Sequence, residues 1–198
     1  VIHAGIYYPK DSLKAKACIE GKGLIYEFCR KNNIPCKKTE KLIVAIDDSE
    51  IKELEALYRH GLNNGVEDLK LISGSDIKKI EPNVEAQAAI LSPSTGIFDT
   101  HSFMKSLLFC FENNRGQIAY NTQVIGIDRI KAGFEVSVRD TREGSFKFTT
   151  QVLINCAGLW SDEVAGLAGL KKEEYRLKYC KGDYFRVHNK KAGFVNRL

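Results

Sequence analysis

A mixed α/β fold follows from three features of the sequence. Apolar residues recur at helical spacing over the first third of the chain, and the period changes to two after Gln117. A wholly apolar triplet, Val152-Leu153-Ile154, then runs into small residues and a further helical pattern. With 198 residues, 43% hydrophobic and 28% charged, the chain is long enough for one large or two small domains. This composition excludes a disordered tail, a collagen-like repeat and a coiled coil. No apolar run approaches the ~18 to 20 residues needed to cross a bilayer.

Taken in order, the apolar opening Val1 to Tyr8 is broken at Pro9, after which Asp11 or Ser12 caps a helix. That helix places Leu13, Ala17, Leu24 and Phe28 on one face, with Cys18, Gly21, Ile25 and Cys29 beside them. Gly21 and Gly23 inside it predict close approach of a neighbouring backbone. Asn32-Asn33 and Pro35 end it. Leu42 to Ile46 reads as a strand, and Asp47 with Glu50 caps a helix carrying Ile51, Leu54, Leu57 and Tyr58 that stops at Asn63-Asn64-Gly65. A short helix over 75–80 and a strand over 88–91 follow. Asp99 or Thr100 then caps an apolar helix with Phe103, Leu107, Leu108 and Phe111. Residues 123–130, 134–139 and 146–150 form a three-stranded meander. Val152 to Ile154 reads as a brief strand, Ser161 as the cap of a helix with Val164, Leu167 and Ala168 inward, and Tyr179 to Val187 as a final strand.

Lys and Arg number 30 against 25 Asp and Glu, a net charge of +5. The excess is scattered among acids rather than gathered on one strip, which argues against nucleic-acid binding. Six cysteines show no C-x-x-C spacing, so neither a zinc knuckle nor a thioredoxin-type pair is expected. Cys110 and Cys156, in apolar surroundings, read as small buried hydrophobes, and the set as free thiols of a reducing cytoplasm. Val1 to Pro9 lacks the form of a secretory signal. The chain opens on Val1 with its one methionine at 104, as expected of part of a longer gene product. Asn155-Cys156-Ala157-Gly158, between an apolar strand and a helix, is either a tight turn or a place where backbone N–H groups approach a cofactor. Gly21-Lys22-Gly23 does not complete a G-x-G-x-x-G fingerprint.

His3-Ala4-Gly5-Ile6-Tyr7-Tyr8, Ser12-Leu13-Lys14-Ala15 and Lys41-Leu42-Ile43-Val44-Ala45 resemble the L-2-hydroxyglutarate dehydrogenase/oxidase family. So do Gly96-Ile97-Phe98-Asp99, Asn155 to Asp162 and Lys181-Gly182-Asp183-Tyr184-Phe185. The wider group is the FAD-dependent oxidoreductases of the D-amino-acid-oxidase type. The resemblance implies an FAD-binding Rossmann-like domain lacking its N-terminal βαβ, over 1–36 and 96–178, with the meander inside it. It also implies an inserted mixed-sheet substrate domain over 37–95 and 179–198. The family's glycine-rich pyrophosphate loop would precede Val1 and its closing part would follow Leu198, so weak or absent FAD binding is expected of this chain by itself.

The implied reaction is oxidation of a 2-hydroxy acid, L-2-hydroxyglutarate to 2-oxoglutarate, by hydride transfer to flavin. Alternatives are a relative acting on glycerol 3-phosphate or an amino acid, or a catalytically silent fragment. His3 is the catalytic candidate, either as the base for the hydroxyl proton or as a ring that only hydrogen-bonds flavin or backbone. His60, His101 and His188 read as surface residues. His3, Ala4, Val124, Ala157, Gly158 and Trp160 are the expected cofactor contacts. Tyr7, Lys181, Tyr184 and Arg186 are the expected substrate contacts, with Tyr7 or Tyr8 equally able to be core packing. No metal is called for, the electron acceptor is oxygen or a quinone, and exposed sheet edges favour self-association. The expected location is the cytoplasm, with peripheral attachment to the inner membrane as a variant.

Overall fold

The computed structural model describes residues 1–170, 173–183 and 193–198. The chain divides into two compact units, Val1–Arg115 with Arg186–Leu198, and Gly116–Phe185. The elements are mixed α and β, as the periodicities predict.

In the first unit α1 (Leu13–Lys31) is capped by Ser12, whose hydroxyl accepts from the Ala15 N–H. Its buried residues are Ala15 and Cys29, whereas Leu13 and Leu24 are exposed. The inward stripe is thus the one beside the Leu13–Leu24 face. Gly21 and Gly23 meet no neighbour where a Cβ would stand, so the close approach expected there is absent. β2 (Lys41–Ala45) pairs antiparallel with β4 (Ala88–Ser92), which pairs with β3 (Lys70–Ser73), giving the order β2-β4-β3. β1 (Cys36–Lys37) pairs with β5 (Ile97–Phe98), and α3 covers Gly74–Ile80.

Helix α2 (Asp48–Asn63) packs on the sheet through Leu54, with Ile51, Leu57 and Tyr58 beside it. Asp47 caps it, accepting from the backbone N–H groups of Ser49 and Glu50. The core gathers Ala4, Ile6, Ala45, Leu54, Val66, Leu69 and Ile90. Helix α4 (Thr100–Asn113) is capped by Asp99 and buries none of its residues fully, although Phe103 meets Phe28 and Phe98 edge-to-face.

The tail of this unit returns to the sheet: Leu42 N–H donates to the Leu198 carbonyl and Leu198 N–H to that of Glu40. Glu81 is fully buried there and accepts from the Asn196 N–H and from Arg197, which also pairs with Glu40 at 2.6 Å. A buried carboxylate is tolerated only with such partners.

In the second unit β6 (Thr122–Ile130), β7 (Gly133–Asp140) and β8 (Gly144–Thr150) form the expected meander, each pair antiparallel. Gly133 takes φ 135° at the first turn, where a Cβ would strike the Thr150 carbonyl. The register shifts between Val124 and Gly126, which leaves Ile125 as a bulge on the edge strand β6. Ile127, Val136 and Val138 are the buried residues, and α5 (Ser161–Leu167) packs against β6.

Ser161 is the first residue of α5 rather than its cap, since Trp160 holds the N-cap position and makes no side-chain cap hydrogen bond. Three other expectations need correction. Val152 to Ile154 is not a strand: Val152 and Ile154 stand 71% and 78% exposed, with no ladder partner among the described residues. A strand exists only where its N–H and C=O groups are paired. Residues 179–183 likewise have no regular structure, and 184–187 lie outside the described residues. Cys156 is exposed and Cys110 only half-buried, so neither is a core residue, though all six cysteines are free thiols.

No helix among the described residues is long and apolar enough to cross a membrane. Ile90, fully buried on the central strand β4, predicts that Ile90→Ala lowers unfolding free energy by about 2–5 kcal/mol. Leu24→Ala, on an exposed face, should stay within about 0.5 kcal/mol in the same urea titration.

Candidate functional site

Within the first unit the opening segment alternates. Ile2, Ala4 and Ile6 are buried to 2% exposure or less, so His3 and Tyr7 turn the other way. Gly5 interrupts the extended chain at φ 97°, and its N–H donates to His3 Nδ1 at 2.9 Å. Since a backbone N–H can only donate, Nδ1 is the acceptor, and the neutral ring carries its proton on Nε2. The base role expected for His3 therefore meets a ring whose free nitrogen offers a donor.

Helix α2 fastens this segment from behind. Asn64 Nδ2 donates to the carbonyls of Gly5 at 3.1 Å and Tyr8 at 2.8 Å, and His60 Nε2 lies 2.7 Å from the same Tyr8 carbonyl. His60, expected at the surface, is thus part of the scaffold. Gly61 allows the close approach, because a Cβ there would come within 2.6 Å of Leu69 and 3.4 Å of Ile6.

Around His3 the rings of Tyr7 and Tyr8 lie at 5.8 and 5.1 Å. Lys41 Nζ sits 5.5 Å from the Tyr7 centroid and Lys14 Nζ 5.1 Å from that of Tyr8. Burial, with the Lys41 charge second, holds the His3 imidazole below its usual pKa, and burial pushes the Tyr7 phenol up. Both groups are therefore neutral donors at neutral pH.

The second unit carries a groove of about 550 Å³, lined among others by Gln123, Val124, Ile125, Ala157, Trp160 and Val164. Three expected cofactor residues, Val124, Ala157 and Trp160, thus share one cavity. The turn is built locally: Asn155 Oδ1 accepts from the Ala157 N–H, and Asn155 Nδ2 donates to the Ser161 carbonyl. Gly158 follows at φ 59° with open space where a Cβ would stand, and Trp160 is 63% exposed. The Trp160 indole and the aliphatic Val124, Ile125, Val164 and Leu167 line the groove together with the polar Gln123 and Glu163.

Lys181 pairs with Asp183 at 2.8 Å and both are exposed. Tyr184 and Arg186 lie outside the described residues. Ala4 is a core residue whose backbone borders His3. Lys14, Lys41, His60 and Asn64 entered the sequence reading without site roles. Their importance comes from packing; Lys14 and Lys41 had a pointer, in the segments Ser12 to Ala15 and Lys41 to Ala45 that carry the resemblance, whereas His60 and Asn64 had none. Among the described residues no cluster of three potential metal ligands occurs.

A family model described as FAD dependent oxidoreductase matches residues 1–197. The chain is 37% identical over 204 residues to the mitochondrial L-2-hydroxyglutarate dehydrogenase of Homo sapiens, covering 98% of this chain and 43% of that protein. It is 36% identical over 229 residues to the Arabidopsis thaliana protein of the same name, covering 100% of this chain and 47% of that one. It therefore spans less than half the length of these relatives. Among solved structures, the FAD-bound L-alpha-glycerophosphate oxidase of Mycoplasma pneumoniae matches with a TM-score of 0.74 and 31% identity, over 85% of this chain and 45% of the oxidase. The glycine oxidase of Geobacillus kaustophilus, at TM-score 0.71 and 14% identity over 85% of this chain and 46% of its own, shares the fold.

Two outcomes are expected. Asn64→Ala, which strips the Gly5 and Tyr8 carbonyls of a donor, costs about 1–3 kcal/mol in denaturant unfolding. By NMR the His3 ring titrates with a midpoint below the ordinary imidazole value of 6.5. Because the folded state disfavours the charged ring, this group's contribution is fully present above that value. It is lost as pH falls from 6.5 towards the folded midpoint.

Proposed function

The chain belongs to the FAD-dependent oxidoreductase family, and from that premise we propose that it is part of an enzyme oxidising L-2-hydroxyglutarate to 2-oxoglutarate. The observation carrying this reading is the 36–37% identity to proteins of that name along 98–100% of the chain. It is joined to a His3 turn that points a fixed N–H donor outward. FAD, when bound, supplies the hydride acceptor.

In this reading Val124, Ala157, Gly158 and Trp160 are the cofactor contacts of the second unit, and His3 and Ala4 are those of the first. The Nε2–H of His3 holds the substrate's hydroxyl oxygen and stabilises the negative charge that grows there as the hydroxyl proton leaves to solvent. Tyr7 donates its phenol to the substrate, and the resemblance assigns Lys181, Tyr184 and Arg186 to the substrate as well. Residues 1–36 and 96–178 serve the flavin, while 37–95 and 179–198 serve the substrate. This functional division, which the resemblance implies, differs from the division by packing into 1–115 with 186–198 and 116–185.

A second reading, a glycerol 3-phosphate oxidase, is favoured by the 31% identity to the Mycoplasma pneumoniae protein. The test is anaerobic reduction of the flavin in a protein extended to the relatives' length. L-2-hydroxyglutarate should bleach the flavin band and yield 2-oxoglutarate. Bleaching by glycerol 3-phosphate alone overturns the first reading in favour of the second. His3→Ala should lower kcat/KM by about 10²–10³, the loss expected for one preorganised donor. Gly158→Val, which fills the open space beside the turn, should weaken flavin binding at least tenfold, or about 1.4 kcal/mol.

A further inference from the structure

We propose that Lys41, assisted by Lys14, Tyr7 and Tyr8, forms an anion cradle beside His3 that takes a carboxylate of a dicarboxylic substrate. This deepens the preceding reading and rests on it for the identity of that substrate. Lys41 opens β2 and is held there by its pairing with Ser92 on β4. Its ammonium lies over the Tyr7 ring and that of Lys14 over the Tyr8 ring, with the His3 ring beside both phenols.

The side chains grouped here can all donate: two ammoniums, the phenols (which also accept) and the Nε2–H of His3. Lys14 also stands in the first turn of α1, where the helix dipole disfavours a cation and no acidic residue is present. The neighbouring carboxylates do not neutralise the patch. Glu40, next in sequence to Lys41, is bound to Arg197 at 2.6 Å. Asp11 precedes the α1 cap and makes no ion pair among the described residues, and neither Lys14 nor Lys41 is ion-paired among them. His60, on α2, faces the Tyr8 carbonyl. Such a concentration of donors with no carboxylate paired to it among the described residues is complementary to a multiply charged anion, and the aromatic faces hold the ammoniums in place until one arrives.

The test is NMR titration of the chain with glutarate, the hydroxyl-free dianion, reading the His3, Tyr7 and Tyr8 ring signals. Glutarate should shift these signals and raise the His3 titration midpoint, because the bound anion offsets the Lys41 charge. Lys41→Met keeps the aliphatic contact with Tyr7 while removing the charge. It should weaken glutarate binding at least tenfold and by itself raise the His3 midpoint. Lys41→Arg should restore binding to within about threefold of the original, a difference of about 0.7 kcal/mol. Butyrate, with one carboxylate fewer, should bind at least fivefold more weakly than glutarate.

Unchanged glutarate affinity in Lys41→Met, or ring signals indifferent to glutarate, overturns the cradle even if the extended enzyme oxidises L-2-hydroxyglutarate. Glutarate binding through Lys41 in a protein whose flavin L-2-hydroxyglutarate fails to reduce upholds the cradle and overturns the substrate assignment.

Discussion

Ile2, Ala4 and Ile6 are driven into the core of the first unit, and that burial decides where every polar group of the opening segment points. Each fully buried isoleucine contributes about 1.5–3 kcal/mol relative to exposure, which offsets part of the ~1–2 kcal/mol per residue that ordering the segment costs. Hydrogen bonds then remove the remaining freedom. Asn64 and His60, at the end of α2, occupy the carbonyls of Gly5 and Tyr8, so the segment cannot slide along the helix without stranding polar groups. Gly61 lets helix and segment approach to a distance that any side chain would prohibit.

From that anchored backbone the electrostatics follow. The Gly5 N–H takes the Nδ1 lone pair of His3, and burial with the nearby Lys41 charge keeps the ring neutral. A neutral ring with one nitrogen engaged has a single function left at the other, which is donation. The phenol of Tyr7, pushed up by burial, is likewise a donor. The site is uniform in character: it receives negative charge rather than supplying it. This is the character that oxidation of an anionic hydroxy acid requires of its surroundings, because charge grows on the hydroxyl oxygen as its proton departs.

The second unit uses different means. Its meander is a stiff antiparallel sheet whose edge strand is bulged at Ile125, and the groove lies between that edge and the turn from Asn155 to Trp160. The turn is stabilised by one asparagine that both donates and accepts within it. An indole left 63% exposed beside aliphatic walls is costly in water and useful against a planar ligand.

The sequence by itself determined the elements and their order: the capped helices, the meander and the helix after the small-residue turn are local decisions written in period, cap and turn chemistry. It also singled out His3, because H-A-G-I-Y-Y is a contiguous run that resemblance can recognise. Tertiary structure alone decided what His3 does. The proton's place on its ring depends on Gly5 adopting a left-handed conformation and on α2 fixing that glycine from 59 residues away. The segments around Lys14 and Lys41 were recognisable too, but the stacking of the two ammoniums was hidden, since a surface lysine and a lysine stacked on a tyrosine have the same local pattern. In the opposite direction, Val152 to Ile154 has every local mark of a strand yet lacks that structure, because a ladder needs partners that no period within one segment can supply.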